Sequence, residues 1–84
     1  MTDTEFELID QLYFVQSFHD LSNSMGMNEK ELTEALKNVF GKGWMKVLDK
    51  HTDAEIADMQ VWEKDLTNFY YLATKKGLFA HNTI

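Results

Sequence analysis

The stretch "FGKGWMKVLDK", residues 40–50, decides how the fold is interpreted, because two glycines and a tryptophan separate helix-like from strand-like sequence there. A Gly-x-Gly turn binds a phosphate when a strand precedes it and a helix follows it, since backbone N–H groups then point at the anion. In this chain the helical pattern comes before the glycines. That order excludes a phosphate-binding loop and predicts that Gly41 ends a helix.

The helix before the glycines is predicted over residues 28–40. Asn28 is a favourable N-cap residue, and Glu31 at the third helical position completes a pair that resembles a capping box. Apolar residues then recur at helical spacing and predict one buried face: Leu32, Ala35, Leu36, Val39 and Phe40. The segment therefore has the beginning, the buried face and the end that a helix needs.

The sequence after the glycines has two interpretations. Met45 and Val47 alternate with Lys46, which predicts a strand over residues 44–50. A helix is the alternative, because Lys42, Lys46 and Lys50 also follow one another at i, i+4 spacing. Both interpretations place Lys46 and Lys50 on the same side of the element, so a positive stripe is expected in either case.

Two more helices are predicted nearer the N-terminus. Thr2 or Asp3 begins the first, which is expected to continue to about Gln16. Its apolar residues cover more than half of the helix circumference, so we expect it to bury two faces. Ser17 caps a short second helix, and Gly26 ends it in the left-handed conformation.

Residues 52–74 are the most ambiguous part of the chain. Thr52 and Glu55 form a capping-box pattern, and the apolar residues that follow are compatible with one long helix. Against this, "NFYYLAT" (residues 68–74) has the aromatic content of a strand, with Thr74 as the N-cap of a short last helix. An α/β fold with a small antiparallel sheet and an all-α bundle of four or five helices are therefore the two alternatives.

The order of these elements resembles the winged helix-turn-helix domain of MarR-like and PadR-like bacterial transcription regulators. In that family the third helix is followed by a glycine, an apolar residue and the first wing strand, as in "FGKGWMKVL" (residues 40–48). The second wing strand ends in an aromatic-leucine-threonine-x-x-glycine run, and this chain has "YYLATKKG" (residues 70–77). The resemblance covers residues 6–77. It implies one mainly α, α/β domain over residues 1–84, with a three-helix core, a small antiparallel β-wing and a short C-terminal helix.

The resemblance also implies a function in transcription regulation through duplex DNA. Residues 17–25 would be the positioning helix, residues 28–40 the recognition helix in the major groove, and residues 44–50 and 68–73 the wing strands. Residues 51–67 depart from the family, because they are longer than a simple hairpin tip. The residues expected to contact nucleic acid or a partner are Lys30, Thr33, Lys37, Asn38, Lys42, Lys46 and Lys50.

A homodimer is expected from the first helix. Its apolar band is wider than one core contact requires, which leaves Leu8, Phe14 or Val15 for another surface. The resemblance points the same way, because winged-helix regulators commonly dimerise through their terminal helices. We therefore predict a dimer interface that includes these three residues.

The charges disfavour DNA contact. The net charge is −6, and every positively charged side chain is a lysine. The expected recognition helix has three glutamates and two lysines, a net charge of −1, and residues 52–68 have five acidic residues and one lysine, a net charge of −4. Duplex DNA carries about one negative charge per 1.7 Å and repels such surfaces. An acidic winged-helix module that docks a basic protein partner and does not contact DNA is the alternative.

No catalytic or metal-binding pattern is present in the sequence. The chain has no cysteine, and His19, His51 and His81 lack the spacing of zinc ligands. We therefore predict a protein that is not an enzyme and that needs neither cofactor nor metal. The longest apolar run is "FYYLA", far short of the roughly 20 residues of a membrane helix, and the acidic N-terminus is unlike a signal peptide. A cytoplasmic location is expected.

Overall fold

The computed structural model describes residues 1–83. Five α-helices, one 3₁₀ turn and a three-stranded sheet follow one another along this part of the chain. Their order is α1 (Asp3–Gln11), β1 (Gln16–Ser17), α2 (Phe18–Met25), α3 (Glu29–Gly41), β2 (Met45–Asp49), α4 (Met59–Glu63), the 3₁₀ turn (Leu66–Asn68), β3 (Phe69–Ala73) and α5 (Lys75–Asn82).

The sheet is antiparallel and has the strand order β1-β3-β2. Val47 pairs with Tyr71 in its centre, so the strand predictions for both segments are confirmed and the all-α alternative is wrong. Along β3 the residues alternate between buried and half-buried, and Phe69, Tyr71 and Ala73 are the buried ones. The sheet therefore has one inner face against the helices and one outer face.

The hydrophobic core lies between the inner face of the sheet and the helices. Its largest completely buried side chains are Trp62 and Tyr71, and the Tyr71 hydroxyl donates a hydrogen bond of 2.6 Å to the Leu66 carbonyl. Burial raises the pKa of the Tyr71 hydroxyl, and the nearby Asp65 carboxylate raises it further. The rest of the core comes from α1 and the residue after it, from α2 and α3, from the 3₁₀ turn and from both long strands: Leu8, Ile9, Leu12, Phe18, Leu21, Leu32, Ala35, Leu36, Val39, Met45, Val47, Leu66, Phe69 and Ala73.

Four of the predicted helix starts are confirmed. Ser17 and Thr74 accept hydrogen bonds from the backbone N–H groups three residues later, and Thr2 and Asn28 form complete capping boxes with Glu5 and Glu31. Gly26 ends α2 with φ 63°, as predicted. Short-range side-chain to backbone bonds thus define the helix N-termini of this fold.

Helix α3 extends one residue beyond the predicted range, and its terminating glycine lies two residues after the predicted one. Gly41 still belongs to the helix, and the left-handed position is Gly43, with φ 76°. The Trp44 N–H donates to the Val39 carbonyl (2.9 Å) and the Gly43 N–H to the Phe40 carbonyl (3.0 Å). This pair of bonds is a Schellman motif, so Gly43 is the helix terminator and leads directly into β2.

The first helix is shorter than predicted. It ends at Gln11, and Leu12 then turns its carbonyl to the sheet, where it accepts a hydrogen bond of 2.9 Å from the Ala73 N–H. The chain continues through an exposed loop into β1, whose residues Gln16 and Ser17 pair with Tyr71 and Tyr70. Pairing with β3 satisfies these backbone groups in place of further helical turns.

The segment between β2 and β3 contains neither the long helix nor the predicted capping box at Thr52 and Glu55. The Asp49 carboxylate accepts hydrogen bonds from the His51 and Thr52 N–H groups, which form a turn and lower the pKa of Asp49. Glu55 then pairs with Leu48 in an antiparallel bridge at the outer edge of β2. A single short α-helix, α4, follows.

None of the helices formed by residues 1–83 has the length and apolar character needed to cross a lipid bilayer.

Candidate nucleic-acid or protein interface

The exposed side of α3 presents few free basic groups. Lys30 and Asn38 are exposed, as a contact role requires. Thr33 is half-buried, and its hydroxyl donates a hydrogen bond of 2.6 Å to the Glu29 carbonyl of the same helix. Lys30 and Asn38 are therefore accessible to a partner, whereas the Thr33 hydroxyl is already bound to the backbone of its own helix.

Lys37 is neutralised by the segment that connects β2 and β3. Its Nζ lies 3.3 Å from a carboxylate oxygen of Glu63 at the end of α4. The neighbouring Trp62 is completely buried and packs edge-to-face on Phe40 of α3, with ring centroids 5.3 Å apart. Trp62 thus anchors α4 beside α3. The Glu63 carboxylate therefore lies next to the helix that was expected to recognise DNA.

Lys42 turns away from β2 and binds Glu5 at the start of α1. Its Nζ donates to the Glu5 carboxylate and lies 4.9 Å from the centre of the Trp44 ring. Burial alone would raise the pKa of Glu5, but the bonds from Lys42 and from the Thr2 N–H outweigh it and hold the pKa below its ordinary value. Lys42 thus links α3 to α1, so it is not part of the expected lysine stripe.

Lys46 and Lys50 form the remaining part of the stripe, on the outer face of the sheet. Lys46 pairs with Leu72 across β2 and β3. The Lys50 N–H donates to the Asn68 carbonyl (3.2 Å), which extends the pairing, and its Nζ lies 5.2 Å from the centre of the Tyr70 ring. Of the residues in 1–83, no carboxylate comes within ion-pair distance of either ammonium group.

Acidic groups dominate the α3 side of the molecule. Glu29, Glu31 and Glu34 are exposed along the first turns of α3, and we call these three residues the acidic α3 surface. Negatively charged side chains near a helix N-terminus interact favourably with the helix dipole. This surface repels phosphate groups and attracts a positively charged partner.

The three residues predicted for a dimer interface differ in their exposure to solvent. Leu8 is completely buried in the core, so its assignment to an interface is wrong. Phe14 and Val15 lie in the loop after α1, with 78% and 49% of their surfaces exposed. Sequence periodicity predicted an apolar face on α1, but it could not show that the core takes up Leu8.

The sequence interpretation missed Phe79 of α5, which is 72% exposed. Its neighbour His81 stacks on Phe6 of α1, with ring centroids 4.0 Å apart, and contacts the Tyr13 hydroxyl at 3.1 Å. These contacts hold α5 against α1. The position of Phe79 two residues before His81 was the available signal in the sequence. An eight-residue helix, however, has too few turns for periodicity to show which of its residues face the core.

Within residues 1–83 no group of three histidine or acidic side chains is placed to hold a metal ion, and the described surface has no enclosed pocket. No protein-family model, curated protein or solved structure matches the chain. The resemblance to bacterial regulators therefore stays a prediction from the order of sequence motifs.

Proposed function

We propose that the chain is a non-enzymatic winged helix-turn-helix module that binds a protein partner and resembles the DNA-binding domain of bacterial transcription regulators. Helices α2 and α3 would be the helix-turn-helix, with β2 and β3 as the wing strands. The order helix, short strand, two helices, two paired strands and a last helix supports this assignment. A cytoplasmic location is part of the same proposal.

The ion pair between Lys37 and Glu63 is the observation that favours a protein partner over DNA. DNA-binding proteins gain affinity when their lysines and arginines neutralise phosphates. In this chain the lysine in the middle of α3 is already neutralised by α4, at 3.3 Å. The acidic α3 surface lies on the same helix, and its charge is complementary to a basic protein partner.

A matched pair of charge variants tests this proposal. The probe is a short synthetic peptide rich in lysine and arginine, and its affinity is measured by fluorescence anisotropy. Glu34→Lys is expected to weaken binding several-fold at low salt, whereas Glu7→Lys, an equal change at an exposed site on α1, is expected to have a smaller effect. Equal effects of the two variants would show that only net charge matters and that α3 is not the docking surface.

Duplex DNA is the second candidate partner. Lys30, Lys46 and Lys50 favour it, because in the described part of the chain none of them has a carboxylate within ion-pair distance. These three lysines would have to overcome the repulsion from Glu29, Glu31 and Glu34. A titration with random-sequence duplex DNA distinguishes the two candidates, because the DNA candidate predicts binding at low salt that falls steeply as salt rises, whereas the protein candidate predicts no DNA binding.

We also propose that the protein forms a homodimer through the exposed loop after α1. Phe14 is the most exposed large apolar residue of the described chain, and Val15 lies beside it. Contiguous exposed apolar surface of this kind commonly marks an interface. Sedimentation equilibrium is expected to show a dimer that Phe14→Ser dissociates. A wild-type protein that stays monomeric at high micromolar concentration would contradict the dimer.

A further inference from the structure

We propose that the outer face of the sheet docks an acidic segment of another protein that also carries apolar side chains. This surface, the outer sheet face, consists of Lys46, Leu48, Lys50, Tyr70 and Leu72. It is distinct from the acidic α3 surface and has the opposite charge. The inference therefore does not depend on the partner proposed for α3.

Apolar and basic side chains are interleaved on the outer sheet face. Leu72 lies directly opposite Lys46, and Tyr70 lies directly opposite Leu48, in the antiparallel pairing of β2 and β3. Such cross-strand neighbours have Cβ atoms about 4.5–5.5 Å apart, so their side chains form one continuous surface. Leu48, Tyr70 and Leu72 are only partly buried and are not among the residues that pack on the core.

The charge of the outer sheet face differs from that of the rest of the protein. Lys46 and Lys50 are unpaired among residues 1–83, and Lys50 is held over the Tyr70 ring at 5.2 Å. Glu55, opposite Leu48 in the isolated bridge, is the acidic residue at the rim. In a chain of net charge −6, an acidic partner is repelled by most of the surface and directed to this face.

The edges of the sheet indicate that the partner docks on the face and does not add a strand. The free edge of β2 is covered by residues 54–56, because the Asp49 N–H donates to the Ala54 carbonyl (2.9 Å) and the Ile56 N–H donates to the Val47 carbonyl (2.8 Å). On the other side, β1 and the Leu12 carbonyl pair with β3. Strand addition needs a run of unpaired backbone groups, and the edge strand β1 has only two residues.

A protein segment fits the outer sheet face better than a single-stranded nucleic acid does. Nucleic acids bind aromatic side chains by stacking bases on an open ring face, but Lys50 already lies over the Tyr70 ring. Leu48 and Leu72 contribute apolar surface that phosphates and sugars do not match. Leucine or phenylalanine side chains of a partner would cover these residues, and its carboxylates would approach Lys46 and Lys50.

The test uses a fluorescein-labelled synthetic peptide composed of glutamate, aspartate, leucine and phenylalanine. One control peptide has serine in place of leucine and phenylalanine at equal charge, and a second control is an oligothymidine of similar charge. We expect the first peptide to bind most tightly and to shift the backbone amide signals of Leu48, Tyr70 and Leu72. Tighter binding of the oligothymidine would overturn the proposal in favour of a nucleic acid.

Charge reversal on the face is compared with charge reversal elsewhere. Lys46→Glu combined with Lys50→Glu is expected to raise the Kd for the acidic peptide by about tenfold or more. The control, Lys64→Glu with Lys75→Glu, makes the same charge change at exposed positions outside the face and is expected to raise it much less. Equal losses in both double variants would overturn the proposal.

A substitution of the apolar part provides the second, independent measurement. Leu72→Ser leaves all charges in place, so its effect on peptide affinity is expected to persist at high salt, where the effect of the lysines is screened. An unchanged Kd for this variant would show that charge alone attracts the peptide. Self-association that the Lys46→Glu, Lys50→Glu variant abolishes would instead identify a second copy of the chain as the occupant and contradict a separate partner.

Discussion

Trp62 holds the segment between β2 and β3 against the core, and its replacement by alanine tests that role. The side chain is completely buried and lies between Phe40, with ring centroids 5.3 Å apart, and Tyr71, at 5.9 Å. Removing a buried tryptophan side chain costs about 3–5 kcal/mol. A chain of 84 residues has a total stability of about 4–13 kcal/mol, so Trp62→Ala is expected to remove a large part of it.

A second substitution at this position separates packing from hydrogen bonding. The Trp62 Nε1 group is buried and has no hydrogen-bond partner in the described structure, which costs about 1–3 kcal/mol. Trp62→Phe removes this N–H group and keeps an aromatic ring, so the two effects oppose each other. We expect Trp62→Phe to lower the free energy of unfolding by about 0–2 kcal/mol, clearly less than Trp62→Ala.

Urea denaturation followed by far-ultraviolet circular dichroism measures these differences without using tryptophan as the reporter. Val61→Ala is the matched control, because Val61 is the neighbouring residue of α4 and is 48% exposed. It is expected to change the free energy of unfolding by no more than about 0.5 kcal/mol. If Trp62→Ala cost as little as Val61→Ala, α4 would not be anchored to the core and Glu63 would not be held beside Lys37.

Two further substitutions test contacts that position the ends of the sheet and of α1. A Cβ atom at Gly77 would overlap the Trp44 carbonyl oxygen and lie 2.9 Å from the carbonyl carbon. Gly77→Ala is therefore expected to lower the free energy of unfolding, measured by thermal denaturation, by about 1–3 kcal/mol or more. The control is Gly41→Ala, whose Cβ atom meets open space and which is expected to be neutral or slightly stabilising. Glu5→Gln is expected to destabilise the protein at neutral pH. The pKa of Glu5 is lowered in the folded protein, mainly by Lys42 against the effect of burial, so the stabilisation is present above the ordinary value of 4.5 and is lost as the pH falls through the folded pKa. The difference in stability between wild type and Glu5→Gln should therefore shrink in acid, and a difference that stays constant with pH would contradict the role of the charge.

Local chemistry made the helix starts and both long strands predictable. The caps of α1, α2, α3 and α5 each depend on a side chain and a backbone N–H group three residues apart, so the sequence contains both partners. The alternation of Met45, Lys46 and Val47 likewise contains the whole signal of a strand with one buried face. The glycine that terminates α3 was misplaced by two residues, because Gly41 and Gly43 are both suitable and the choice depends on where Trp44 enters the sheet.

Contacts between distant residues made the candidate site less predictable. Lys37 and Lys42 were expected to be free, but Glu63 and Glu5, which neutralise them, are brought near only by the fold. Leu8 was assigned to an interface because a helical pattern cannot show which of two apolar faces the core will cover. Lys46 and Lys50 lie on the outer face, as expected, because strand alternation alone determines their side of the sheet.

Titration of the protein with random-sequence duplex DNA at low ionic strength tests the central claim, that this regulator-like module binds protein in place of DNA. The acidic α3 surface and the Lys37–Glu63 ion pair predict no measurable binding even under these conditions, which favour non-specific DNA contact most strongly. Binding that weakens steeply with rising salt, and that is lost in the Lys46→Glu, Lys50→Glu double variant, would contradict the claim and make duplex DNA the partner.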